Sequence, residues 1–133
     1  MKHILTCSFG KDSIATALLA LQHGEPLDEL VYSEVMFSDT VSGELPEHKR
    51  FIYETAIPYF EKQGIPTRVL RGQKTYLDCF YRIVSRGNAE GKLASFPLTG
   101  RCSIQRDCKL PPIRTYQKTL PHDTVYYLGI AAD

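Results

Sequence analysis

The stretch that decides the fold is Ser8-Phe9-Gly10-Lys11-Asp12-Ser13, which lies between two apolar segments. Residues 3–7 before it have the length and β-branched content of a buried strand. Residues 14–21 after it have the spacing of a helix with one apolar face. A turn that opens a helix presents backbone N–H groups without internal partners, and these favour an anion, commonly phosphate. The stretch therefore predicts a phosphate-binding loop.

The side chains of this 8–13 loop suit the same task. Gly10 allows the backbone to approach a ligand closely, Lys11 adds a mobile positive charge, and a serine at each end adds a hydroxyl donor. The loop is not a Walker A loop, because Leu5 and Asp12 stand where that motif has Gly and Ser or Thr. The alternative is an ordinary strand-to-helix turn in which Asp12 or Ser8 is the N-cap.

Length and composition indicate one globular domain, residues 1–133, without a membrane span or a signal peptide. We therefore expect a cytoplasmic protein. Charge is distributed unevenly: residues 25–61 carry nine acids and two bases, whereas residues 99–118 carry five bases and one acid. This asymmetry predicts a late segment that faces an anion. Aromatic residues for base stacking are sparse in residues 99–118, which disfavours a nucleic acid as the partner.

The four cysteines are irregularly spaced and do not form a disulfide framework of the secreted type. We expect Cys7 and Cys79 to be small core residues. Cys102 and Cys108 lack the spacing of a zinc site. Basic neighbours would lower a thiol pKa, so Cys102 could instead be a nucleophile or carry a persulfide.

Strand and helix patterns alternate along the chain. Strands are predicted at residues 3–7, 30–37, 66–70 and 124–130. Helices are predicted at residues 14–21, 76–84 and 112–118, and at 46–63 with either a kink or two abutting helices at Pro58, and residues 86–104 are predicted to be a long loop. Such alternation predicts a mainly parallel sheet with helices on both faces. Ligands of these sheets bind beyond the carboxyl ends of the strands, where we expect the 8–13 loop and the Asp39 loop to meet.

Three separated stretches together resemble the phosphoadenosine phosphosulfate (PAPS) reductase family of the PP-loop adenine-nucleotide alpha-hydrolase superfamily. The first is the 8–13 loop, similar to S-x-G-x-D-S. The second, residues 36–47, is similar to F-x-D-T-G-x-E-x-P-E with two extra residues between Thr40 and Gly43. The third, residues 101–113, is similar to W-C-T…L-K…P-I. Residues 127–130 followed by Asp133 look like the strand that leads into the family's D-E-x-x-R element.

The resemblance implies a three-layer α/β/α fold of the HUP or Rossmann-like type that binds ATP or a related adenine nucleotide, with Mg²⁺ on its phosphates. The loop would hold the pyrophosphate, Asp39 and Thr40 would lie beside ribose and adenine, and Arg101 and Lys109 would meet further anionic groups. The implied nucleotide-binding residues are Ser8, Phe9, Gly10, Lys11, Asp12, Ser13, Phe37, Asp39, Thr40, Arg101 and Lys109, and the candidate catalytic residues are Lys11, Asp12 and Cys102. The alternatives are a solvated basic face for Arg101 and Lys109 and an Asx turn at Asp39.

The chain also departs from the family. It has no cysteine-bearing C-terminal tail and no paired cysteines for an iron–sulfur cluster, so we expect neither the cluster nor thiol-dependent sulfonucleotide reduction. It stops at Asp133, where relatives continue, so the chain is either a minimal version or a truncated one, and an oligomer could cover the last strand. Two functions follow: reaction at the α-phosphate of an adenine nucleotide, with an unknown second substrate, or non-catalytic nucleotide binding on behalf of a partner protein.

Overall fold

The fold, taken from a computed structural model that describes residues 1–95 and 102–130, is an α/β fold. The strands are β1 (His3–Thr6), β2 (Glu29–Glu34), β3 (Thr67–Arg71) and β4 (Val125–Tyr127). The α-helices are α1 (Lys11–Gln22), α2 (Pro46–Phe51), α3 (Ile57–Lys62), α4 (Tyr76–Phe80) and α5 (Leu110–Gln117). Two π-helical segments, Ile52–Ala56 and Gln105–Lys109, precede α3 and α5.

The four strands form one sheet in the order β3-β2-β1-β4, and every pair is parallel. This confirms the parallel sheet that the alternating pattern predicted. After β3 the chain crosses to the far side of β1 to form β4, so strand order reverses between β1 and β4. The carboxyl ends of these two strands are therefore the place where a ligand of such a sheet is expected.

The core lies around β2, which is buried at every position. Burial of successive residues means that both faces of this strand are covered, as is usual in parallel sheets. Leu5 of β1, Leu30 of β2 and Phe60 of α3 are each no more than 1% exposed and belong to one apolar cluster. This framework holds the residues that follow β1 and β2.

Both π-helical segments have a proline just after them. The first interrupts the helix predicted over residues 46–63 beside Pro58, where a break was expected, whereas the second corrects the predicted start of the helix at Pro112. Pro58 and Pro111 each stand four residues after a residue of a π segment, where a proline ring would clash with the carbonyl in a regular α-helix. The wider π turn relieves that clash. Helical structure therefore begins at Ser103, well before the predicted start at Pro112.

The predicted helix over residues 76–84 is wrong beyond Phe80. A capping box between Thr75 and Asp78 starts α4, but the helix ends after five residues. Ile83 instead pairs with Leu93 in an isolated antiparallel bridge. β2 and β4 are likewise shorter than predicted, and residues 35–45 form a loop closed by a bridge between Met36 and Ser42.

Within residues 1–95 and 102–130, no helix is long and apolar enough to cross a membrane.

Candidate functional site

A cavity of about 570 Å³ opens at the carboxyl ends of β1, β2 and β4. Its floor is formed by Thr6 and Cys7 at the end of β1 and by Tyr32 and Ser33 in β2. The 8–13 loop lines one side through Ser8 and residues 10–13. The remaining sides are formed by Val35, Glu44, Gln105, Lys109, Leu110, Ile113, Leu128 and Gly129. The cavity thus occupies the predicted ligand-binding edge of the sheet.

The first turn of α1 faces this cavity without a side-chain cap. Its N-cap residue is Gly10, which has no side chain to cap the helix, and the Gly10 N–H itself donates to Oγ of Ser8 at 3.4 Å. This excludes the interpretation in which Asp12 or Ser8 is the N-cap. The hydroxyl of Ser13 donates to the Gly10 carbonyl at 3.2 Å instead of capping an N–H group. The N–H groups and the positive end of the helix dipole are therefore available to an anion.

Phe9 determines how the loop turns. Its φ of 59° lies in the left-handed region, where a residue with a bulky side chain is held only by its surroundings. Those surroundings are present, because Phe9 is 1% exposed and packs edge-on against Tyr32, with ring centroids 5.3 Å apart. Phe9 does not line the cavity. It anchors the loop from behind while Ser8 and Gly10 face the open side.

Gly129 brings the end of β4 against the loop. A Cβ atom at this position would lie 2.9 Å from the carbonyl oxygen of Asp12 and 3.0 Å from the hydroxyl of Thr16. Only glycine permits this approach, because two of the three nearest atoms are backbone atoms of Asp12. The segment that follows β4 is therefore packed closely against the start of α1.

The opposite side of the cavity carries an acidic group. Glu44 accepts a hydrogen bond of 3.0 Å from the hydroxyl of Tyr32, and its second carboxylate oxygen lies 3.9 Å from Nε2 of His48. Burial raises the pKa of Tyr32 far above its usual range, and the neighbouring Glu44 carboxylate raises it further. The phenol therefore stays protonated and acts as a donor that fixes Glu44.

The loop that carries Glu44 is held by a fully buried carboxylate at the end of β2. Glu34 accepts hydrogen bonds from Arg71 (2.7 Å), Tyr53 (2.9 Å) and Ser42 (2.9 Å). Burial raises the pKa of Glu34, but the hydrogen bonds from these partners, Arg71 foremost, outweigh burial and leave the pKa below its ordinary value. Ionised Glu34 thus ties residues 35–45 to β3 and to the π segment after α2.

Lys109 enters the cavity from the second π segment. The hydroxyl of Ser33 in β2 donates to the Lys109 carbonyl at 2.8 Å, which anchors this turn on the sheet. Cys108 beside it is fully buried, with its Sγ 3.4 Å from the Sγ of Cys79. The partner of Cys108 is therefore Cys79, and Cys102 remains exposed.

The structure brings some of the sequence-predicted residues together and leaves others apart. Those that line the cavity are Ser8, Gly10, Lys11, Asp12, Ser13 and Lys109. Asp39 and Thr40 are exposed and do not line it, and Phe37 stacks on Tyr76 with ring centroids 5.5 Å apart. Cys102 does not line the cavity, and Arg101 lies outside the described residues.

Sequence reasoning missed several lining residues, chiefly Tyr32, Glu44, Gln105 and Gly129. Glu44 had a detectable sequence signal, since it stands in the Glu-x-Pro-Glu part of the second motif. Tyr32 had none, because its pattern is that of a core strand residue. In the described part of the chain no cluster of three or more His, Cys, Asp or Glu residues is arranged to hold a metal ion.

Comparison of the chain with protein-family models, with curated proteins and with solved structures gave no match.

Proposed function

We propose that the cavity binds an adenine nucleotide with its phosphates against the 8–13 loop, and that the protein reacts at the α-phosphate with release of pyrophosphate or acts on a sulfonucleotide. The observation that carries this proposal is the uncapped start of α1, which opens into a cavity of about 570 Å³. That volume lies in the range of small-molecule sites. The proposal implies a three-layer α/β/α fold of the HUP type. We also propose that the protein is located in the cytoplasm.

The lining residues would contact the phosphates in different ways. The first-turn N–H groups of α1 are fixed donors to phosphate oxygens. Lys11 and Lys109 are the two positively charged side chains among the described lining residues, and they approach from different elements. Charge that accumulates on departing pyrophosphate would therefore meet donors that are already in place, which is an effective form of catalysis.

The residues of the cavity are compatible with Mg²⁺. This ion is usually held by one or two carboxylates together with the phosphates of the substrate, and it stabilises charge on phosphate oxygens when bound. Asp12 supplies a carboxylate on the loop that would contact those phosphates. Asp39, the other carboxylate considered from the sequence, does not line the cavity.

The test measures nucleotide binding and pyrophosphate release in parallel, on the full chain with ATP and Mg²⁺. We expect Lys11→Ala to weaken binding at least about tenfold, because it removes a charge-assisted contact to phosphate. Lys62→Ala is the matched control, since Lys62 is exposed on α3 and does not line the cavity. Equal loss in both variants would contradict the assignment of the loop.

The same measurements separate the two classes of function. Binding together with pyrophosphate release supports the enzyme. Binding without release, over a panel of sulfonucleotides as well as ATP, rejects the enzyme and leaves a binding module. Absence of binding to any adenine nucleotide rejects the site altogether.

A further inference from the structure

The cavity that faces the uncapped helix is not uniformly positive. Its described lining includes two lysines, Lys11 and Lys109, and two carboxylates, Asp12 and Glu44. Asp12 belongs to the 8–13 loop, where a metal-bound phosphate accounts for a carboxylate. Glu44 belongs to another element and would repel any phosphate group placed against it. An anion-binding cavity with a fixed carboxylate on one side therefore discriminates between the parts of its ligand.

Glu44 is held in place, and its carboxylate can still accept further hydrogen bonds. One of its oxygens takes the hydroxyl hydrogen of Tyr32, whose side chain is 1% exposed. The other oxygen lies 3.9 Å from His48, beyond hydrogen-bond distance. The loop that carries Glu44 is closed in turn by the hydrogen bond of 2.9 Å between Ser42 and buried Glu34. The carboxylate is thus a prepositioned acceptor rather than a freely moving surface group.

A carboxylate acceptor requires a ligand group that donates hydrogen bonds and carries no negative charge. On the sugar of a nucleotide this description fits the free hydroxyls of the ribose. Acidic side chains bind ribose hydroxyls in other parallel α/β nucleotide sites, whereas a phosphate on the sugar is accommodated by arginine. We propose that Glu44 accepts hydrogen bonds from the ribose hydroxyls and excludes nucleotides whose ribose is phosphorylated.

This inference rests on the proposed function and narrows its substrate class. Nucleotides with an unmodified ribose, such as ATP, are accepted. Nucleotides with a 3′-phosphate, including sulfonucleotides that carry one, are rejected, because their ribose would place a second anion beside Glu44. The selection is made by one carboxylate and does not depend on the loop that holds the 5′-phosphates.

The experiment measures binding of five ligands to the full chain by calorimetry. Three are ATP, 2′-deoxy-ATP and 3′-deoxy-ATP, and the other two are AMP and adenosine 3′,5′-bisphosphate, which form a matched pair. We expect wild type to bind at least one deoxy nucleotide about tenfold more weakly than ATP, since a hydrogen bond to a charged group is lost. We also expect AMP to bind at least about tenfold more tightly than the bisphosphate. Glu44→Gln should reduce both ratios toward one.

Glu47→Gln is the control for charge, because Glu47 is exposed in the first turn of α2 and does not line the cavity. It should preserve both ratios, and thermal unfolding should show that each variant is folded. Equal binding of AMP and the bisphosphate by wild type overturns the proposal, as does a Glu44→Gln variant with wild-type ratios. An effect of Glu44→Gln that disappears when EDTA removes metal also overturns it, because Glu44 would then be a metal ligand. Failure of wild type to bind any of these ligands rejects the proposed function itself.

Discussion

Replacement of Gly10 by alanine tests whether a ligand, rather than the fold, requires glycine in the 8–13 loop. The backbone of Gly10 has φ −77° and ψ 174°, which is extended and open to any residue. A Cβ atom there would have only the hydroxyl of Ser8 within 4 Å, at an ordinary contact distance of 3.5 Å. The folded protein therefore has room for the methyl group.

The expected change in the free energy of unfolding is small because two effects oppose each other. Alanine restricts the unfolded chain and, where the native backbone suits it, stabilises a protein by about 0.4–1 kcal/mol. Alanine is also a poorer N-cap than glycine, by an amount on the order of 0.5–1 kcal/mol. The two nearly cancel, and we expect Gly10→Ala to differ from wild type by less than about 0.5 kcal/mol in urea unfolding.

Nucleotide binding should respond quite differently. The added methyl group stands beside the N–H groups that a phosphate must approach, so ligand oxygens lose contact with the backbone. We expect calorimetry with ATP and Mg²⁺ to show binding at least about tenfold weaker, equivalent to about 1.4 kcal/mol. A Gly10→Ala protein that binds ATP as wild type does would refute close approach of phosphate to this backbone. A large loss of stability would refute the steric argument instead.

Three further predictions concern the framework of the site. Gly129→Ala should lower the free energy of unfolding by about 1–3 kcal/mol, because its methyl group would press on the backbone of Asp12, and an unchanged urea midpoint would contradict this contact. The folded-state pKa of Glu34 lies below its ordinary value of 4.5, so its contribution to stability is complete above about pH 4.5 and is lost as pH falls through the folded pKa. Glu34→Gln should therefore lower the free energy of unfolding at pH 7 by about 1–3 kcal/mol and make it depend less on pH below about pH 4.5. An equal decrease at every pH would contradict the ionised, hydrogen-bonded Glu34. A thiol reagent should modify one of the four cysteines rapidly in the native protein, since only Cys102 is exposed, and a Cys102→Ser variant that still reacts at the same rate would disprove this burial.

The alternation of strands and helices and the position of the 8–13 loop could be predicted from the sequence because the signals are local. A short apolar run, a polar turn and a helical apolar period follow one another within residues 3–21. Alternation of such units leads to a parallel sheet with few other choices. The cavity at the carboxyl edge then follows from topology rather than from any single residue.

The two π-helical segments could not be predicted in the same way. A proline pair at residues 111–112 is typical of a helix start, and it therefore predicts a helix that begins at Pro112. The chain instead continues a helix through the pair by widening the preceding turn, and Ser33 anchors that turn on β2 through the Lys109 carbonyl. That hydrogen bond joins residues 76 positions apart, so no local pattern contains it.

The acidic side of the cavity could not be predicted from the sequence for a related reason. The second motif directed attention to Asp39 and Thr40, but the hydrogen bonds of Glu34 fold residues 35–45 so that Glu44 lines the cavity. Which carboxylate of a loop faces a ligand depends on such tertiary contacts, and spacing alone does not reveal it.

Three departures from local preference lie in the elements that build this cavity. Phe9 has a left-handed backbone, Glu34 is a carboxylate with no exposed surface, and the first turn of α1 has no capping side chain. The last of these bears most directly on a ligand, because serine or aspartate at position 10 would add a side-chain cap, although one worth only roughly a few tenths of a kcal/mol more than glycine. Such a cap would also occupy the N–H groups that a phosphate needs. Natural sequences are otherwise locally consistent, so uncompensated departures mark positions where function opposes stability. In the described part of the chain the N-cap residue of α1 supplies no side-chain cap, and a bound anion is a partner that would satisfy the donors of the first turn.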